Sequence, residues 1–521
     1  MHWWYCSIKN DVWRRGNLKD SSIDTPLTRL RLLRTWRTIK MAHMNHFLER
    51  FFNPASVAIV GATNNPLKMN FRVLQNLVSL GYEGKIYPVN PGAEEILGIK
   101  TFARLQDIPD SIELVVIAIS AQKVPDVIRD CGEAGAKNLV IISGGFSEGG
   151  ESGRNLQKEM KGLIRDKRIR TLGPNTLSPI NTANNFVISF NPVKKLNRGN
   201  ISFAFQSGFY EPMINWMFSH LGINKMLDMG NKMDITELDA LEYFAQDPDT
   251  GIIAMHIESL HGNARKFLSL IKSVSKEKPV IVLKVGCTPA GSRAAASHTG
   301  TMANENDAVF DCAIRQAGAI RAQNLEEFFD LVKAFQFSQL PQGNHLAVIT
   351  LSGGEGVMAT DACETYGLKQ ACLGDKTRQK LEKIFPEWEI PFNPFDAGVC
   401  MEFHLSDLAV FFNVLQSIPE DDGVDCTIMQ MLPWTFNETL INPDTSKDMS
   451  DSMKELYVQW LLSMKKSGKP FALWCASSGS DEVEFIEQIE AKRIPVFRSS
   501  ERAVKALSAM NRYRLKISPM D

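Results

Sequence analysis

One histidine, His298, stands in the stretch SRAAASHTGTMANENDAVF (Ser292–Phe310), wrapped in Ala, Ser, Thr and Gly. A structural histidine usually has bulky apolar neighbours packed against its ring. None is close by here, so the setting predicts a loop that carries the imidazole to a reaction partner. A neutral imidazole is a good nucleophile toward a phosphoryl group. That chemistry requires a carboxylate to hold the second ring nitrogen in one tautomer, a cradle for the phosphate oxygens, and freedom to move between donor and acceptor. Glu258, in AMHIESL at the end of an apolar strand where a carboxylate is costly to bury, is the candidate carboxylate. Its equal alternative is an ordinary surface residue at a strand end. His256 and His261 lack the small, flexible surroundings.

Three turns offer a cradle, because a helix start after a parallel strand presents unpaired N–H groups and a positive dipole end. The first, VGATNNPLKMN (Val60–Asn70), lacks the GxGxxG spacing of a dinucleotide site and an acid placed for a ribose, so NAD is disfavoured. Gly61, Ala62 and Thr63 there would let backbone approach a phosphate, with Lys68 adding charge. The second is FQSGFYEPMINW (Phe205–Trp216), where the amides near Ser207 and Gly208 could form an anion site. The third is LSGGEGVMATDA (Leu351–Ala362), with Gly353, Gly354 and Gly356. Each turn by itself is as readily a packing turn. Two such starts beside one small-residue histidine segment form a set.

The elements that must hold these residues repeat one grammar of apolar strand, small-residue turn and helix. ASVAIVG, KIYPVNP, ELVVIAIS and NLVIISGGF alternate with amphipathic stretches such as FRVLQNLVSLGY and VPDVIRDCGEAG, which predicts a doubly wound parallel sheet. NISFAFQSG, GIIAMHIESL and PVIVLKVG make a second series; HLAVITLSGGEG, CTIMQML, PFALWCA and IPVFRSSERAVKAL make a third, after a linker at FQFSQLPQGN. The chain of 521 residues therefore divides into residues 47–185, 186–335 and 345–521. Residues 1–46 carry nine Lys or Arg against three Asp and no strand pattern. They read as an upstream extension with the true start at Met41 or Met44, an organellar transit peptide being the alternative.

A net charge of -1 gives no sign of nucleic acid as a partner, and no apolar run reaches the roughly 18 residues of a membrane span. Nine scattered cysteines without a CxxC spacing suggest neither a zinc site nor a disulfide framework, which fits a reducing cytoplasm.

Eight stretches in order, VAIVGAT, GKIYPVNP, LVIISGGFSEGGESG, LGPNTLSPINT, FQSG, DPDTGIIAMHIES, SRAAASHTG and LSGGEGVMATDA, resemble the alpha subunits of the nucleoside-diphosphate-forming acyl-CoA synthetases, the ADP-forming acetyl-CoA synthetases related to succinyl-CoA synthetase. The resemblance runs from about Asn45 to the C-terminus. It implies an α/β chain: a CoA-binding Rossmann-like domain followed by two flavodoxin-like domains of the succinyl-CoA-synthetase type. Coenzyme A would lie with its phosphate end near Gly61, Ala62, Thr63 and Asn64, its nucleotide near Asn90 and Pro91, and Ala118, Ile119 and Ser120 along the opposite rim. Asn175 would lie toward the thioester. His298 would be phosphorylated and oriented by Glu258, and Ser207, Gly208, Gly353, Gly354 and Gly356 would clasp the phosphate.

The implied reaction is acyl-CoA plus ADP and phosphate to acid, CoA and ATP, reversibly, through acyl phosphate and phosphohistidine. ADP or ATP with Mg would sit on a separate ATP-grasp beta subunit, since only a short tail follows Leu507, and the assembly would be a heterotetramer. Two departures stand out: Thr301, Met302, Ala303 and Asn304 after SHTG, and Phe209, Tyr210, Glu211 and Pro212 after QSG. An anionic Glu211 there would repel phosphate, and Phe209 and Tyr210 would line a pocket for an acyl group larger than acetate. These departures support the alternative, a noncatalytic CoA- or acyl-CoA-binding regulatory protein. A nicotinamide-dependent dehydrogenase lacks the glycine spacing, and an acetyltransferase would need an added domain.

Overall fold

Val57, Ala58, Ile59 and Val60 follow one another without a polar break, and such a run needs cover on both faces of its sheet. The computed structural model describes residues 46–299, 306–404, 408–432, 447–476 and 480–518. It gives that strand neighbours on each side: the first sheet runs Lys85–Val89, Ser56–Val60, Leu114–Ile117, Asn138–Ile141, Arg170–Leu172, all parallel. Strand order reverses at Ser56–Val60. The chain leaves it toward one side and returns on the other, so the turns after Val60 and Ile117 diverge and open a crevice.

The second sheet has five parallel strands in the order Ile320–Ala322, Val280–Lys284, Ile252–Ile257, Arg198–Phe205, Ile223–Asp228. An antiparallel hairpin, Ile180–Asn181 with Phe186–Val187, extends it beyond Ile223–Asp228. The boundary expected between 185 and 186 cuts through this hairpin, because two-residue strands leave no period to read. Ile223–Asp228 also escapes the sequence pattern: Lys225 interrupts its apolar run, yet that ammonium is buried and paired with Asp247 at 2.7 Å.

The third sheet runs Lys369–Gln370, His345–Thr350, Cys426–Gln430, Phe471–Trp474, Val496–Phe497, with Phe395–Asp396 on the end of His345–Thr350. Part of the expected linker is helical: Phe335–Phe337 complete the helix Leu325–Phe337, and the connection is 338–344.

The first two units share one core. Phe51 and Phe52, on the helix Glu49–Phe52, are fully buried in a cluster that also holds Val57, Leu227, Tyr243 and Ile253. Phe52 stacks on Tyr243 at 5.1 Å, and burying rings of this size stabilises by roughly 2–3 kcal/mol each. The third unit packs apolar clusters on both faces of its sheet. It joins the second through the helix Ser500–Ile517, which lies on Leu325–Phe337 and Gly353–Thr365. Arg502 clamps Asp330 there with two bonds of 2.6 and 3.0 Å. Residues 1–45 of the expected extension, with Met41 and Met44, and the segment Thr301 to Asn304 lie outside the described residues.

Candidate functional site

At the crevice of the first sheet lies a cleft of about 730 Å³, lined by Gly61, Ala62, Thr63, Asn90, Pro91, Ala118, Ile119 and Ser120 among others. Gly61 is its floor. It sits at φ +91°, and a Cβ there would lie 2.5 Å from the Ala118 carbonyl oxygen and 2.7 Å from Ile119 Cγ2. Glycine alone fits, and its bare backbone is what a phosphate can approach. Asn90 stiffens the rim by donating from Nδ2 to the Ala62 carbonyl at 2.8 Å. Lys68 precedes the helix Met69–Ser79, whose first amides have no side-chain cap, and Arg104 and Lys123 also face the cleft.

The last two cations are missed by sequence reasoning, because their turns have no glycine to mark them. Asn64 is not among the lining residues. Its carboxamide instead bridges to the Glu95 carbonyl (2.9 Å) and the Leu97 amide (3.2 Å).

Asn175 also stands apart from the cleft, in the turn after Arg170–Leu172, at φ +61°. Its amide donates to the Ser143 carbonyl at 3.0 Å. A Cβ on Gly144 would lie 3.3 Å from both Asn175 Oδ1 and Glu148 Oε1. Glu148 accepts from the Gly145 amide (2.7 Å) and from Asn231 Nδ2 (2.6 Å), so it ties the first sheet's loops to the loop after Ile223–Asp228 of the second.

Gln206 to Gly208 and Glu258 lie at the ends of the neighbouring strands Arg198–Phe205 and Ile252–Ile257, where Ala204 pairs with Met255. Gln206 Oε1 accepts from the amides of Glu258 (2.8 Å) and Ser259 (3.1 Å). The sequence leaves Glu258 open between a buried and a surface position, and the structure buries it at 5 % exposure.

A second carboxylate, Asp228, lies at the end of the strand on the other side of Arg198–Phe205, where KMLDMG ends a strand in an acid as MHIESL does. It accepts from the amides of Leu177 and Gly230, both at 3.0 Å. A Cβ on Gly208 would lie 3.9 Å from its Oδ2. Burial, with Glu211 and Glu258 adding repulsion, pushes the Asp228 carboxyl up to about 7 against the pull of those two amides.

An unfolded Asp loses its proton near pH 4, whereas the folded one keeps it to about pH 7. Between those values the native state binds more protons, so this group makes stability fall as pH rises, by at most about 1.4 kcal/mol per pH unit. Asp228→Asn is expected to flatten the decline of melting temperature between about pH 4 and 7, followed by calorimetry; an unchanged slope would place that proton elsewhere.

His298 is the penultimate residue of a helix, Pro289–Thr299, rather than part of a loop. Ala290, Ala294, Ala295 and Ala296 are small, which suggests flexibility, but alanine is also the strongest helix former. The helix packs against the turn Ser147–Gly149 of the first unit. The imidazole lies outside what the structure describes.

A family model described as a CoA binding domain matches residues 55–181, and one described as a succinyl-CoA ligase like flavodoxin domain matches residues 198–335. The chain is 34% identical over 474 residues to the alpha subunit of ADP-forming acetate–CoA ligase I of Pyrococcus furiosus, covering 89% of this chain and 97% of that one. The chain belongs to the ADP-forming acetate–CoA ligase family. ADP-forming acetate–CoA ligase II of Archaeoglobus fulgidus is likewise 34% identical, over 89% of this chain and 67% of its own length. Among solved structures, dinucleotide forming acetyl-coenzyme A synthetase 1 of Ca. Korarchaeum cryptofilum, in complex with phosphate and ADP, superposes with a TM-score of 0.77 at 30% identity, over 91% of this chain and 99% of that one.

Against that family background, the altered turn after QSG resolves into packing. Glu211 is buried, and its Oε2 accepts from Ser189 Oγ (2.8 Å), Asn191 Nδ2 (3.0 Å) and the Asn191 amide (3.3 Å). Burial raises its carboxyl above the usual range, and those bonds pull it back. Its Oε2 is thus committed to the 189–191 turn, which removes the main support for a noncatalytic binder. Tyr210 does not line a pocket. It is fully buried, stacks on Phe205 at 4.5 Å and donates its hydroxyl to the Leu177 carbonyl at 2.6 Å. Phe209 is half-buried and packs on Phe205 and on His256, whose ring centroid is 4.6 Å away.

The third turn stands on a separate sheet. Gly353 opens the helix Gly353–Thr365 behind its cap Ser352. A Cβ on Gly356 would lie 3.1 Å from Pro394 Cγ, whereas one on Gly354 would meet open space. Gly356 therefore serves close packing, and Gly353 and Gly354 present the helix start.

Proposed function

We propose that the chain acts as the alpha subunit of an ADP-forming acyl-CoA synthetase, converting acyl-CoA, ADP and phosphate reversibly to a carboxylic acid, CoA and ATP. The observation that carries this reading is the corner at which Gln206 holds the end of the Glu258 strand beside the Ser207–Gly208 turn. The cleft floored by Gly61 suits the phosphates of coenzyme A, with bare backbone below and Lys68, Arg104 and Lys123 around it. In this reading the thioester end of coenzyme A extends out of the cleft toward Asn175.

An oxygen of inorganic phosphate attacks the acyl carbonyl; the C–S bond breaks, CoA leaves as a thiolate that takes up a proton, and acyl phosphate remains. A ring nitrogen of His298 then attacks phosphorus, the bond to the acyl oxygen breaks, and the free carboxylate departs. Glu258 holds the other ring nitrogen in one tautomer and stabilises the positive charge that develops. Ser207, Gly208, Gly353 and Gly354 steady the phosphoryl oxygens at two helix starts. In the last step the N–P bond breaks as an oxygen of the β-phosphate of ADP takes the phosphoryl group.

ADP and its magnesium belong, in this reading, to an ATP-grasp beta subunit in an assembly of two alpha and two beta chains. The relative matched over 97% of its length bears the name of an alpha subunit, which supports a separate partner. No described helix is long and apolar enough to cross a membrane; the compartment this reading implies is the cytoplasm.

The test is to incubate the chain, with and without the partner, with acetyl-CoA or a larger acyl-CoA and radiolabelled phosphate. Acid-labile, base-stable label is expected on the native chain and none on His298→Ala. Measurable CoA binding with no label from any acyl-CoA would leave a binder.

A further inference from the structure

We propose that Lys232 is a positioning residue for Glu258, acting through Gln206; the proposal rests on the reading of Glu258 as the partner of a phosphorylated histidine. Lys232 sits at φ +50° in the loop after Ile223–Asp228, with a side chain 0% exposed. A buried ammonium is costly unless its donors are matched. Here Nζ donates to Gln206 Oε1 at 2.9 Å, to Glu237 Oε2 at 3.0 Å and to the Ser259 carbonyl.

The same Gln206 oxygen receives the amides of Glu258 and Ser259, so one carbonyl serves three donors. An ammonium only donates, so the contact with Lys232 Nζ fixes the Gln206 carboxamide with its oxygen, rather than its NH2 group, turned toward the two backbone amides. Glu237 closes the circuit from the far side, since its Oε1 accepts from the His261 amide at 2.5 Å. The segment from Glu258 to His261 is thereby fixed at both ends by the Lys232–Glu237 pair and Gln206. Burial, then Lys232 and Lys161, push the His261 imidazole down to about 4, so that ring stays neutral and adds no second cation to the network.

Stability does not explain this arrangement well. A buried ion pair can often be replaced by apolar side chains of similar volume at no loss. What an apolar replacement could not do is hold the backbone amides of the residue that carries the orienting carboxylate. Lys232 and Gln206 together set where Glu258 stands relative to the Ser207–Gly208 turn.

The experiment compares the full chain with Lys232→Met and Gln206→Leu in two readouts: hydrogen exchange of the segment 258–261 without substrate, and the rate at which acetyl phosphate labels His298. Both variants are expected to exchange the Glu258 and Ser259 amides at least about tenfold faster and to label about 100-fold more slowly. CoA affinity at the first-sheet cleft should stay within about twofold, because that site lies on another sheet. In a Glu258→Gln background Lys232→Met should cost less than about twofold more, since the two act through one group.

Wild-type exchange at 258–261 in either folded variant would overturn the proposal, and so would losses from Lys232→Met and Glu258→Gln that multiply. If Lys232→Met does not fold, Gln206→Leu decides, because it keeps the Lys232–Glu237 pair. Exchange is read whether or not His298 takes label. A wild-type chain without label removes the histidine reading, whereas unchanged exchange removes the role of Lys232.

Discussion

Gly61→Val is expected to lower CoA affinity by roughly 100-fold or more while leaving the labelling of His298 by acetyl phosphate close to wild type. The added side chain enters the cleft at the point where strand order reverses, with its Cβ 2.5 Å from the Ala118 carbonyl oxygen. Neither the backbone oxygen nor a residue at φ +91° can yield cheaply. A 100-fold loss corresponds to about 2.8 kcal/mol of binding free energy, lost because the added side chain holds the phosphate off the bare backbone; the overpacking and left-handed strain are a separate cost to folding. Acetyl phosphate enters the proposed sequence after CoA has left, so the histidine step needs no CoA cleft. Titration calorimetry with CoA and a labelling time course would separate the two. Loss of both activities in a cooperatively folded variant would mean that the cleft and the histidine site are one unit, and wild-type affinity would move CoA elsewhere.

Glu258→Gln is expected to slow phosphohistidine formation by about 100-fold to 10000-fold, the range seen when a carboxylate that orients a catalytic imidazole is neutralised. The change keeps nearly the same volume at a position that is 5 % exposed, and it leaves the Glu258 amide free to bond Gln206 Oε1. The backbone of the corner should therefore persist while the charge is lost. Rapid-quench labelling at saturating acetyl phosphate measures the effect; CoA affinity and melting temperature serve as controls. A labelling rate within about threefold of wild type would take the orienting role away from Glu258 and direct attention to Asp228, a further buried carboxylate near Gly208.

Much of the fold is visible in the residues themselves. ASVAIVG, ELVVIAIS and PFALWCA hold β-branched or apolar runs without breaks, and GIIAMHIESL holds one broken only by His256; each becomes a central strand of a parallel sheet, because only a strand covered on both faces tolerates such a run. The glycine turns after Val60, Phe205 and Leu351 mark where strands hand over to helices, since each such handover needs a small residue or free amides at the same place. His298 is likewise conspicuous by its surroundings.

What the sequence could not decide depends on contacts between distant segments. Ile180–Asn181 and Phe186–Val187 become strands because Ile223–Asp228 offers an open edge, and no local pattern announces that edge. The alanines before His298 fit a loop or a helix by type, and the hydrogen-bond ladder of Pro289–Thr299 selects the helix. Glu211 reads as a charge facing phosphate until Ser189 and Asn191, some twenty residues away, turn out to hold its Oε2. Lys232 and Asp228 carry no motif at all. Their weight comes from burial beside Gln206, Glu258 and Gly208, and burial is a property of the assembled chain: an ion gains its importance when water has been removed and the partners that replace it are fixed.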